Sequence, residues 1–383
     1  MELPAIVVII PVGLIFLISG LIINLIQAIF YVLVRPLSKN IYRRLNKVVS
    51  ELLWLETVWL FDWWAGIKVE LHTDSETFHL MGKEHALLIS NHRSDIDWLI
   101  GWVLAQRVGC LGSTRAIMKN VLKYLPVIGW SMWFSEYIFV KRRWAEDQST
   151  LTSGYEKLKD FPIPFWLALF VEGTRFTQTK LLDAQKFAIS KGLDVPRHVL
   201  LPRTKGLILA VKHMRSFVPA IYDVTIAIPK DCPPPSMLTI LTGKSSMVKV
   251  HIKRHLMHEL PETSDDIAHW CKEMFVAKDA FLDNYFSSGN FGTKEIQDIG
   301  RPKQSLIVMI LWSCLLSMGA FGFLLWTRLF STWQGIIVSA VFLLLVIVTM
   351  QILILFSQSE PNIESVPIKV LPQDSTKEIL LKQ

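Results

Sequence analysis

Ala86-Leu87-Leu88-Ile89-Ser90-Asn91-His92-Arg93-Ser94-Asp95-Ile96-Asp97-Trp98 changes character within a few residues. The apolar run at residues 86–89 reads as a strand, and the polar stretch behind it puts a histidine just past the strand's end. On a straight helix five residues turn the chain by about 500°, so His92 and Asp97 would not share a face. They meet if His92 lies in the loop and Asp97 in the first turn of a following helix. A carboxylate bonded to one imidazole nitrogen fixes the tautomer and leaves the other nitrogen free to take a proton. Such a pair would act on a hydroxyl brought by the substrate, which suits direct transfer without a covalent enzyme intermediate. Asp95 is the competing partner on spacing alone, with helix capping as its other role.

Outward from this stretch, further apolar runs at residues 167–171, 199–201, 221–228 and 247–252 read as strands. Residues 144–160, 178–191 and 265–286 read as helices, the last with Ser264 as its N-cap. The alternation argues for one α/β domain. Phe161-Pro162-Ile163-Pro164 and Cys232-Pro233-Pro234-Pro235 punctuate it as connectors, and no internal repeat is visible.

A second motif, Phe170-Val171-Glu172-Gly173-Thr174-Arg175, closes another expected strand. Gly173 permits close backbone approach, the Thr174 hydroxyl and free amides can bond phosphate oxygens, and Arg175 can grip them bidentately. Glu172 would hold that guanidinium or contact a lipid hydroxyl. Lys141-Arg142-Arg143, after the apolar residues 137–140, and Arg203 with Lys205, after Pro202, are further strand-end cations; each reads either as a phosphate grip or as a solvated charge run.

The surroundings of this domain are apolar. Of 383 residues, 51% are hydrophobic, more than a soluble enzyme of this length carries, and the formal net charge is +7. Nothing develops the basic charge into a nucleic-acid reading, since there is no zinc-type Cys/His spacing or RNP-like motif, so anionic lipids and anionic substrates fit it better. Residues 1–34, 305–327 and 336–356 are long and apolar enough to cross a bilayer. A cleaved signal sequence is the other reading of the first, against which stand the absent basic n-region and the length of the run. Arg35, Lys39, Arg43, Arg44 and Lys47 after the first segment, with Arg301 and Lys303 before the second, place residues 35–304 on the cytosolic side and the amino terminus across the membrane. Residues 357–383 read as a disordered cytosolic tail. Within residues 35–84, Trp54, Trp59, Trp63 and Trp64 beside Glu51, Glu56 and Asp62 suggest an interfacial helix at about 47–67, a packed core helix being the alternative.

Four scattered cysteines without a CxxC pair point to a reduced protein with no structural disulfide. His251, His255 and His258 could share one helical face, but the run from Met247 reads as a strand and no acidic fourth ligand stands at fixed spacing, so no metal site is expected. Gly243-Lys244-Ser245 lacks the leading glycine of a P-loop. The apolar segments carry no ionisable residues in their cores, which argues against a transporter.

Taken together, Asn91-His92, four intervening residues and Asp97, and then Glu172-Gly173-Thr174-Arg175, in that order, resemble blocks one and three of the glycerolipid acyltransferase family. Residues 199–206 resemble block four, marked by Pro202. The similarity extends over residues 1–357 and is nearest to the plant endoplasmic-reticulum lysophosphatidic acid acyltransferases. The resemblance implies an α/β fold with a central, mostly parallel sheet flanked by helices, residues 85–304 being the acyltransferase domain, plus about three transmembrane helices. It also implies His92 as general base and Asp97 as its partner. Arg142 and Glu172 to Arg175 would be acceptor-phosphate ligands, with Lys141 and Lys205 assisting. The implied reaction moves an acyl group from acyl-CoA, as substrate rather than cofactor, to the sn-2 hydroxyl of lysophosphatidic acid in the endoplasmic reticulum membrane. In block two the family's glycine is replaced by Glu136, which weakens the assignment of Arg142. Another lysophospholipid as acceptor, a CoA-independent transacylase and a noncatalytic scaffold are the competing readings.

Overall fold

The computed structural model describes residues 3–292, 295–327 and 331–357. Eight strands form one sheet: β1 (Lys68–His72), β2 (Ala86–Ser90), β3 (Thr114–Lys119), β4 (Ile138–Val140), β5 (Trp166–Leu169), β6 (Ala220–Ala227), β7 (Met247–Leu256) and β8 (Ile296–Gln297). Their order is β4-β3-β5-β2-β6-β7-β1-β8. From β4 to β6 all neighbours are parallel, β7 runs antiparallel to β6, β1 parallel to β7, and β8 antiparallel to β1. Every residue of β2 is buried, as its unbroken apolar run requires of a central parallel strand covered on both faces. Its side chains alternate between layers: Ala86 and Leu88 join one core cluster, Leu87 and Ile89 the other.

The helices are α1 (Leu3–Ile29), α2 (Lys39–Trp59), α3 (Ser75–Leu80), α4 (Asp97–Arg107), α5 (Ile128–Phe134), α6 (Trp144–Glu156), α7 (Gln178–Ser190), α8 (Lys205–Met214), α9 (Met237–Leu241), α10 (Ser264–Ser288), α11 (Gln304–Thr327) and α12 (Trp333–Ser357). Among the described residues two helical stretches are long and apolar enough to cross a membrane, Val7–Val34 and Gln304–Thr327. The third expected segment lies within α12, and the tail expected from residue 358 onward lies outside the described residues.

The first apolar helix is not an isolated peg. One face of α1 packs on α2 as an antiparallel hairpin whose buried polar pairs fix the register: Ser19 Oγ donates to Glu56 Oε1 at 2.8 Å, and Gln27 Nε2 donates to Asn46 Oδ1 at 2.9 Å. In an apolar setting such groups are costly unless paired, so they specify how the two helices meet. The aromatic stretch at 47–67 belongs to this packed layer. Trp54 is buried with its ring 4.1 Å from that of Trp102, and the indoles of Trp63 and Trp64 donate to Ser305 Oγ and the Leu241 carbonyl. Trp54 packs as a core residue, while Trp59, Trp63 and Trp64 are half-buried.

Other sequence expectations shift by smaller steps. Thr263, not Ser264, caps α10, its hydroxyl accepting from the Asp266 N–H. The helix expected at 144–160 ends at Glu156. Residues 199–201 are not a strand, because the backbone donors leading into them are committed to a side chain, as described below.

Candidate active site

Parallel strands deliver all their carboxyl ends to one edge of a sheet, and α/β proteins place their ligands there. Across that edge the chain leaves β4 toward Arg142, β3 at Lys119, β5 toward Phe170–Arg175 and β2 toward His92. These residues, Glu172 excepted, line one cavity of about 910 Å³.

His92 sits in the loop after β2 and Asp97 is the first residue of α4. His92 Nδ1 lies 2.8 Å from Asp97 Oδ2, and the same oxygen accepts the Ser94 N–H at 3.0 Å. An ionised carboxylate offers no proton, so Nδ1 is the donor and Nε2 is left as the basic nitrogen. Asp97 is buried while His92 reaches the cavity, and the Phe170 ring packs on the imidazole at 4.4 Å between centroids. Asp95 does not cap α4; its carboxylate accepts the Met237 N–H at 3.4 Å, beside the Ser236 cap of α9.

Glu172 is not turned toward a ligand. It is buried, with Oε1 accepting the His92 N–H at 3.0 Å and Oε2 the Leu200 N–H at 3.2 Å. Burial pushes its carboxyl up to about 8, against the pull of those two donors. Its role as a phosphate ligand is therefore corrected to bracing the backbone beneath the imidazole. Asn91 is likewise internal: its amide donates to the Ile226 carbonyl and accepts the Ile226 N–H, tying the ends of β2 and β6 together.

The brace continues into α10. Asp279 Oδ1 accepts N–H groups from Arg197 at 3.1 Å, His198 at 2.6 Å and Val199 at 3.0 Å. Three donors converging on one carboxylate hold residues 197–199 in a turn, which is why they make no ladder with a neighbouring strand. Asp283, one turn along α10, takes Arg197 Nη1 and His198 Nε2, and Arg93 Nη1 closes on the His198 carbonyl. Sequence reasoning missed this clamp. An aspartate four residues before another on one helix face was its only trace.

His92 shares its cavity with a group of cations. Gly173, Thr174, Arg175, Pro202 and Lys205 line the cavity as expected, joined by Arg142 and Arg203 and by two residues the sequence did not flag, Lys119 and Lys180. Gly173 has φ +71°, and a Cβ there would press on the Arg203 side chain at 3.0 Å, so the glycine lets the two loops close on each other. Glu136 has φ +60°, the conformation for which a glycine is favoured; its carboxylate is held by Arg43 Nε at 2.8 Å. Lys141 is the exception among the expected cations. It is exposed, pairs with Glu146 Oε2 at 2.7 Å, and does not line the cavity. Asp95, Asp147, Thr57 and Thr204 also line the cavity, and much of the rest is apolar, from Val12 and Phe16 of α1 through Leu122, Leu125, Ile128 and Met132.

Residues 67–228 match the family profile described as acyltransferase, and residues 239–312 the one described as acyltransferase C-terminus. The chain is 60% identical over 365 residues to 1-acyl-sn-glycerol-3-phosphate acyltransferase 2 of Brassica napus, covering 95% of this chain and 93% of that protein. The Arabidopsis thaliana protein of the same name gives the same identity and coverage. The human 1-acyl-sn-glycerol-3-phosphate acyltransferase gamma is 39% identical over 314 residues, 82% of this chain and 83% of the human one.

Proposed function

The chain belongs to the 1-acyl-sn-glycerol-3-phosphate acyltransferase family, and on that premise we propose that it acylates the sn-2 hydroxyl of lysophosphatidate to phosphatidate, with acyl-CoA as donor. The observation that carries the reading is a buried-carboxylate-bound imidazole in a cavity lined partly by cations and partly by apolar residues. A lysophosphatidate has that division: a phosphate monoester, an acyl chain and a hydroxyl between them.

His92 Nε2 takes the proton of the sn-2 hydroxyl as its oxygen attacks the thioester carbonyl. The tetrahedral intermediate collapses with cleavage of the C–S bond. The departing thiolate receives the proton from the imidazolium, so CoA thiol and phosphatidate leave together. Asp97 holds the tautomer and stabilises the imidazolium without being protonated itself. Arg175, with Arg142, Arg203 and Lys205, binds the acceptor phosphate, and no cofactor enters the cycle. The apolar helices keep the catalytic edge at the cytosolic face of the endoplasmic reticulum, where both greasy substrates reside.

The test is a purified assay with labelled acyl-CoA across acceptors. Stoichiometric CoA release with lysophosphatidate, and little with lysophosphatidylcholine or lysophosphatidylinositol, is the expected result. Acyl transfer without CoA release would make the protein a transacylase, and no transfer to any acceptor would make it a scaffold.

A further inference from the structure

The segment from Val121 to Trp133 has two faces. Leu122, Leu125, Ile128 and Met132 line the catalytic cavity. Between them, Val121, Tyr124, Trp130 and Trp133 point the other way and are 51%, 66%, 40% and 44% exposed. Large aromatic side chains left open on the wall of a cavity are unusual for a water-facing surface and suit the headgroup depth of a bilayer, where an indole or phenol has one apolar and one wet side.

The Trp133 end of the segment lies at that depth, and Val127 reaches further along the apolar helix. The Trp133 ring lies 5.0 Å from Tyr31, in the last turn of the apolar stretch Val7–Val34. Directly after that stretch come Arg35, Lys39 and Arg44, the basic flank that marks a membrane surface; Arg35 lies over the Tyr31 ring at 4.8 Å, and Lys123 adds a cation on the segment itself. The exposed Val32, Leu33 and Leu37 continue the apolar surface on the neighbouring hairpin. The segment is also fastened to the apolar helix. Val127 is buried at φ +66° in a tight turn closed by the Ile128 N–H on the Pro126 carbonyl at 2.8 Å. A branched side chain tolerates that backbone poorly, and it is kept there by seating on Gly20 of α1, where any Cβ would meet Val127 Cγ1 at 2.2 Å.

We propose that the outer face of Val121–Trp133 is a lipid-contacting surface of the catalytic domain, seated on an anionic bilayer, and that lysolipid passes from the bilayer into the cavity beside it. This deepens the function proposed above and rests on it, since the acceptor must be a membrane lipid. Charge complementarity and continuity with the apolar helix name the occupant as a bilayer rather than a protein.

The experiment compares two ways of presenting the acceptor to full-length protein reconstituted in phosphatidylcholine–phosphatidylglycerol vesicles. Long-chain lysophosphatidate is supplied within the bilayer, and six-carbon lysophosphatidate as monomer from water. The double variant W130S/W133S is expected to raise the surface KM for the bilayer acceptor by roughly tenfold while kcat/KM for the monomeric acceptor stays within about twofold. Because Trp133 also touches Tyr31, a second variant, V121S/Y124S, removes exposed side chains that lack that ring contact and should give the same split. An unchanged surface KM in both variants would overturn the proposal, as would equal losses on both acceptors. A change in oligomeric state on size-exclusion chromatography would also overturn it by assigning the face to a second copy. Wild-type turnover on the monomeric acceptor checks the proposed function separately, whatever the variants do.

Discussion

Two regions meet at the carboxyl edge of the sheet and are built on opposite principles. Asp97 and Glu172, both buried, hold His92, and half-buried Asp279 holds the turn at 197–199, each committed to backbone or imidazole donors at 2.6–3.2 Å. The cations of the same cavity are different: Arg142 and Arg203 stand on loops and Lys205 opens α8, all three exposed. A proton transfer needs its geometry in place before the substrate arrives, and buried, multiply bonded carboxylates supply it. A phosphate grip tolerates mobile side chains, because the ligand's own charge orders them. Losses in the first region should therefore appear in kcat, and losses in the second in KM.

The largest effect is expected from His92→Ala, a fall of about 10² to 10⁴ in kcat with the thermal midpoint little changed. Single-turnover rates of the purified variant measure it, and ordinary turnover would break the division at its centre. Next comes the clamp. Asp279→Ala strands three backbone N–H groups and should lower kcat by about tenfold through the His92 loop, whereas Asp279→Asn retains an oxygen for them and should restore most of the rate. Equal losses in the two variants would show that charge, not hydrogen bonding, does the holding.

The cationic side gives a smaller and different signature. Arg175→Ala should raise the acceptor KM about tenfold with kcat nearly intact, while Lys141→Ala, whose ammonium is engaged by Glu146, should change KM by less than about twofold. Reversal of that order would move the phosphate site toward α6. The smallest expected effect is on stability against pH. Glu172 binds its proton more tightly in the folded chain than the ordinary carboxyl does, so its contribution is fully present at acid pH and is lost as the pH rises toward about 8. The thermal midpoint of the native protein should fall more steeply between pH 5 and 8 than that of Glu172→Gln, and parallel curves would mean that the two N–H donors offset the burial.

The proposed lipid-facing segment extends the contrast to a third surface, which was illegible in the sequence for a geometric reason. The run from Val121 to Trp133 mixes apolar and aromatic residues without a clean period, because a tight turn at Val127 breaks it. Which side chains face the cavity follows from that turn and its seat on Gly20. In the Trp54 stretch, by contrast, the aromatic residues beside acids make contacts with α4, α9 and α11 that spacing alone did not specify.

Strand-end position and residue chemistry in the sequence alone singled out His92, Asp97, Gly173, Thr174, Arg175 and Lys205, because an apolar run followed by turn-forming and charged residues constrains where a parallel strand stops. Sequence order also supplied the apolar segments and the α/β alternation. What tertiary structure decided was direction. Glu172 turns inward to the backbone of His92, Lys141 outward to Glu146, and Asp279 reaches residues 197–199 from 80 to 82 positions further along the chain. Side-chain orientation depends on which buried donors lack a partner once the layers have packed, and a linear sequence does not state that balance.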